Sequence, residues 1–150
     1  MIPTNTILDR LATLLATDTT TLAHATLAVH VHLFVNTATP GPGSVVGDFT
    51  EATFDGYAPL DADVGPQQEF VDPITGNRVV QLIEPLGGWH WETTGVTALP
   101  QTVYGFYVTD NADTVLYGAA RLDDPFPLTA SGQAVDVDQV RFDFVPPVLS

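Results

Sequence analysis

The sequence predicts a mostly β fold: an antiparallel β-sandwich or jelly-roll-like domain with one short N-terminal α-helix. Three observations lead there. Apolar side chains take every second position across residues 27–35, the period of a pleated strand with two distinct faces. Turn-forming clusters of Gly, Pro, Asn and Asp recur about every eight to twelve residues, dividing the rest into roughly seven to nine short strands. No repeat or composition shift interrupts the 150 residues, 45% of them hydrophobic, so a single core serves a single domain. The expected layout is one domain over 1–150, with a helix at 6–17, the β-sandwich across 27–145 and a tail at 146–150.

Residues 6–17, TILDRLATLLAT, place Ile7, Leu8, Leu11, Leu14 and Leu15 at three- and four-residue steps, which makes an apolar helical stripe. Thr6 is positioned to cap the first turn, with Asp9 where a capping box puts an acid. Such a helix either covers one end of the β-core or docks on a neighbouring subunit. In the strand at 27–35, Leu27, Val29, Val31, Leu33 and Val35 face one way; Ala28, His30, His32 and Phe34 face the other. Residues 36–43, NTATPGPG, end it. A further strand is expected at 56–60. Strands at 69–72 and 78–84 flank Pro73, Ile74, Thr75, Gly76 and Asn77, a hairpin connection in which Gly and Asn accept positive φ. A short aromatic strand follows at 89–93, a hairpin at 102–109 and 114–122 around 110–113, and two last strands at 134–137 and 140–145.

Eighteen acids oppose four arginines, and lysine and cysteine are absent, giving a net charge of −14. That charge repels phosphates and anionic lipid, so neither nucleic acid nor membrane is an expected partner. A salt-adapted host would produce the same acidic bias. Without lysine there is no Schiff-base chemistry and no phosphate loop; without cysteine, no disulfide or thiolate zinc site. Residues 1–16 lack the charged and apolar regions of a secretory leader, and no stretch matches a membrane-spanning helix. Gly43-Ser44 and Ser131-Gly132 do not sit on a strand-to-helix elbow, so no nucleophile is expected.

His30 and His32, two apart on a strand, project from one face, the spacing with which cupin-type barrels present two metal ligands. The third ligand, commonly a carboxylate, is missing from 33–37; His90 and Glu92, which share a face in GWHWE, are the candidates from another strand. Histidines on the outer face of a sheet or at an interface are the favoured alternative, and no cofactor is expected. Trp89 and Trp91 share the face opposite His90. They suit stacking on a sugar ring, burial in the sandwich, or anchoring a subunit contact. The acidic groups at 61–63, 110–113 and 123–124 are weighed as calcium ligands, and none has EF-hand spacing.

Two segments carry a likeness. Residues 33–60, LFVNTATPGPGSVVGDFTEATFDGYAPL, run from a strand through a Pro/Gly turn to an aromatic-Gly-Tyr step; residues 103–122, VYGFYVTDNADTVLYGAARL, form a Tyr-rich hairpin. Together they resemble a family of short virion-associated proteins encoded among phage and virus structural genes. The resemblance spans residues 27–145 and rests on structural motifs. It implies a non-enzymatic virion component. Within a particle, the absence of a coiled or repetitive shaft favours a capsid decoration protein over a tail-tip or fibre component. The Trp89 and Trp91 pair keeps a carbohydrate-binding module as an alternative, and the His30 and His32 pair a cupin-like metal enzyme behind both. By analogy with decoration proteins, the expected partners are further copies of the chain, as a homotrimer, and the major capsid protein. Leu8, Leu11, Leu15, Trp89 and Trp91 are the expected interface anchors.

Overall fold

The computed structural model describes residues 1–4, 27–64 and 69–144. The helix expected at 6–17, with Leu8, Leu11 and Leu15, and the tail at 146–150 lie outside them. The described residues form ten strands: β1 (Ile2–Pro3), β2 (Leu27–Phe34), β3 (Leu60–Val64), β4 (Glu69–Val71), β5 (Arg78–Gln81), β6 (Trp89–Glu92), β7 (Gln101–Asp110), β8 (Leu116–Leu128), β9 (Ala134–Val137) and β10 (Arg141–Phe144). They make a five-stranded sheet in the order β1-β8-β7-β2-β3, a three-stranded sheet β10-β5-β4 and a two-stranded sheet β6-β9. Every pairing among them is antiparallel. The chain is therefore mostly β.

One hydrophobic core draws on all three sheets. Val29, Val31 and Leu33 from β2, Val103, Phe106 and Val108 from β7, and Tyr117 and Leu128 from β8 meet Val80, Trp89, Trp91, Val135 and Phe142 from the smaller sheets. The alternation of β2 thus directs the expected side chains inward. Its second face was expected to be open, yet Phe34 is fully buried and His32 is 2% exposed. The connection between β2 and β3 folds back to cause this. Its residues pair with the end of β2 through Val35 N–H to Thr50 (2.8 Å) and Ala52 N–H to Leu33 (3.0 Å). Phe49 then lies on Phe34 and Tyr107, with ring centroids 5.0 and 5.2 Å apart. Leu116 and Ala119 complete this second cluster.

Gly105 makes the close approach possible. It lies opposite Phe34 in the ladder, and a Cβ there would come within 2.6 Å of the Phe34 ring and 2.1 Å of the Ala120 carbonyl oxygen. The strand expected at 56–60 begins instead at Leu60. Gly56, with φ at +90°, occupies a turn closed by Tyr57 N–H to Phe54 (3.0 Å), which delays strand pairing to Leu60. Consequently Asp61 and Asp63 are strand residues, exposed on either side of buried Ala62. The hairpin of β4 and β5 forms as expected, held by Asp72, whose carboxylate accepts from Ile74 N–H (2.8 Å) and Thr75 N–H (3.3 Å).

Candidate functional site

The turn joining β7 to β8 is built on two aspartates with different tasks. The Asp110 carboxylate accepts the N–H groups of Thr114 (2.8 Å) and Val115 (2.9 Å), which closes the loop. Asp113 sits in the left-handed region at φ +57°, a conformation that aspartate tolerates better than most residues. That geometry turns its carboxylate back over the sheet. There Oδ1 meets His30 Nδ1 at 2.7 Å and His32 Nε2 at 3.0 Å, and accepts the Thr109 hydroxyl at 3.0 Å.

The other nitrogen of each ring also faces a carboxylate. His32 Nδ1 lies 2.7 Å from Glu51 Oε1, in the returning segment that pairs with the end of β2. His30 Nε2 lies 3.1 Å from Asp61 Oδ1 on β3. The result is a row in which carboxylates and imidazoles alternate: Glu51, His32, Asp113, His30, Asp61. Both imidazoles are more enclosed than the carboxylates beside them. The His32 ring is buried and stacks on Tyr107 at 4.6 Å with 8° between planes, whereas Asp61 is exposed.

Protonation follows from the surroundings. Burial at Asp113 opposes its charge, but hydrogen bonds from His30 and Thr109 and the charges of His32 and His30 outweigh it and hold the carboxyl below its usual range. Burial, followed by the charge of Glu51, pushes the Tyr107 hydroxyl well above its normal range. Burial does the same to Tyr57, against the Leu33 N–H, which donates to the hydroxyl at 3.1 Å. Tyr57 therefore keeps its proton and donates it to Glu51 Oε1 at 2.9 Å. Glu51 is thereby oriented from two sides.

Asp113, and not His90 or Glu92, is the group that stands beside both His30 and His32. His90 and Glu92 lie on β6, where His90 faces Asp136 across the strand pair (2.6 Å) and Glu92 at 3.6 Å. Among the described residues, the potential ligand atoms of His30, His32 and Asp113 fall within 4.8 Å of one another. Asp61 and Asp113 were legible only as members of acidic clusters weighed for calcium, with the second also a turn, and Glu51 was not singled out. Register links them: Thr109 lies opposite His30 and Tyr107 opposite His32, so the loop after Thr109 must close beside the pair.

Trp89 and Trp91 are each 3% exposed. They belong to the core, and the Trp91 indole N–H is used by the Ala58 carbonyl at 3.1 Å. Large aromatic faces gain most by leaving water, and here the fold itself supplies the cover. Neither indole offers a surface for a sugar or an interface, so their expected anchoring role is corrected to a structural one. Of the acidic groups, Asp61 and Asp113 converge on His30. Asp123 and Asp124 sit apart, where the ladder of β7 and β8 slips between Val103 and Gly105. The chain matches no protein-family model, no curated protein sequence and no solved structure.

Proposed function

We propose that this chain is a non-enzymatic structural protein of a virus particle, a capsid decoration protein that works as a homotrimer on the outside of the shell. One observation carries the proposal. The segments that bear the resemblance, 33–60 and 103–122, fold as one unit. Phe34 and Phe49 of the first pack on Tyr107, Leu116 and Ala119 of the second. Arg121 of the second donates to the Thr37 carbonyl (2.9 Å) and the Ala38 carbonyl (3.1 Å) of the first. A likeness in two separate stretches thus falls on a single piece of architecture. The fold proposed with it is a sandwich, the five-stranded sheet facing the two smaller sheets across the shared core. The net charge of −14 favours solubility at high copy number.

With both tryptophans enclosed, gripping falls to other apolar groups. Ile74, at the turn between β4 and β5, is 92% exposed, and Leu86, in the turn before β6, is fully exposed. Side chains of this size at turn tips gain from being covered by a neighbour. Leu8, Leu11 and Leu15 join them on the pattern of the sequence alone. Quantitative mass spectrometry of purified particles tests the role: the chain is expected at a copy number comparable to the major capsid protein, and its absence ends the proposal. Light scattering of the purified chain is expected to give a trimer that Ile74→Asp or Leu86→Asp weakens while circular dichroism stays unchanged.

A further inference from the structure

We infer that His30, His32 and Asp113 form a binding site for a divalent first-row transition ion, with zinc the ion best matched to the donors. Three features carry this. First, the donors converge. A tetrahedral zinc about 2.0 Å from each ligand holds ligand atoms about 3.3 Å apart. Asp113 Oδ1 is already 2.7 Å from His30 Nδ1 and 3.0 Å from His32 Nε2, and the ligand atoms of the three residues lie within 4.8 Å of one another, so side-chain adjustment alone can admit an ion. Second, the nitrogens turned away from that point lie against carboxylates: His32 Nδ1 on Glu51 at 2.7 Å and His30 Nε2 on Asp61 at 3.1 Å. An imidazole that ligates a metal donates its other N–H to such a partner, which fixes the tautomer and strengthens the ligand. Two histidines on one strand both having this partner is more than the strand's alternation requires.

Third, the donors are held in place before any ion arrives. The His32 ring is clamped against Tyr107, Glu51 is oriented by Tyr57, and Asp113 is fixed by its left-handed turn and the Thr109 hydroxyl. Two imidazoles and one carboxylate suit zinc, iron, nickel or copper and are a poor set for calcium or magnesium, which take oxygen. A surface cleft of about 350 Å³ borders His30 and is lined by Asp61 and Asp63, whose negative charge favours cations. Three protein donors leave a tetrahedral ion one position for water or an outside ligand. The ion would tie β2 to the β7–β8 turn.

The test is zinc titration by calorimetry on the full chain, purified without a histidine tag and treated with chelator. A single tight site is expected. His30→Gln and Asp113→Asn should each weaken it by more than about 100-fold, and Glu51→Gln by about 10–100-fold. His90→Gln should leave it unchanged. Cobalt(II) gives a second readout that needs no variant: strong visible bands of a four-coordinate ion are expected. Failure to take up zinc, equal affinity in the wild type, His30→Gln and Asp113→Asn, or the faint spectrum of a six-coordinate cobalt ion would each overturn the inference.

Discussion

His32 and His90 occupy matching places. Each is an alternate residue of an antiparallel strand, and each has a carboxylate oxygen within 2.7 Å of Nδ1. What covers them differs. His32 is roofed by Tyr107 and by the segment returning from the β2–β3 connection, and both of its ring nitrogens are engaged inside the protein. His90 stands on the open face of β6, whose opposite face is sealed by Trp89 and Trp91. Identical local chemistry thus serves a preorganised site in one place and a surface pair in the other. The deciding elements are remote in sequence: Glu51 is 19 residues from His32, and Asp113 is 81.

The largest expected effect lies directly behind His90. Trp91→Ala should destabilise the fold by about 3–5 kcal/mol, since it empties a large part of the core and leaves the Ala58 carbonyl without its donor. Urea unfolding measures it. Should Trp91→Ala instead leave stability unchanged and abolish self-association, the tryptophan is an interface residue and the contrast between the two faces of β6 dissolves. His32→Ala should come next, at about 2–4 kcal/mol, because it opens a cavity under Tyr107 and strips Glu51 and Asp113 of a buried donor. His32→Gln should recover part of that loss. A cost for His32→Ala no larger than for His90→Ala would mean the roof contributes little.

Legibility in the sequence followed the range of the interaction. The alternation of 27–35 and the hairpins expected at 69–84 and 102–122 are local, written in neighbouring residues, and strands form there, although β8 runs on to Leu128. The burial of His32 and Phe34 is not local. It depends on where residues 49–52 return after the loop, and nothing in NTATPGPG specifies a landing point. The same holds for the site. His30 and His32 could be paired from their spacing alone, whereas Asp113 required knowing that a turn residue adopts positive φ and points backward. The tryptophans failed as anchors for a related reason: WHWE shows that they share a face, but only the strand paired with β6 and the Ala58 loop decide that this face points inward.

The smallest expected effect concerns His90 itself, and it has a sign. The hydrogen bond that His90 donates to Asp136, set against slight desolvation and helped by the charges of Asp136 and Glu92, raises the His90 pKa above its ordinary value. A raised folded-state pKa means that the folded chain binds the proton more tightly than the unfolded chain does. The pair's contribution to stability is therefore complete below the unfolded value of about 6.5 and is lost as pH rises through the higher folded value. Exposure and salt screen the pair, so the effect should be small. Unfolding curves for wild type and His90→Gln, compared from acid to alkaline pH, isolate it from every other titrating group. The advantage of wild type should be greatest on the acid side and shrink through the window above pH about 6.5. It should shrink less in 0.5 M salt, where little is left to lose, by about the ratio expected from a shorter screening length. A difference that stays flat across that window would show that Asp136 and Glu92 do not hold a proton on His90. The open side of β6 would then differ from the His32 site in kind, with no electrostatic contribution of its own.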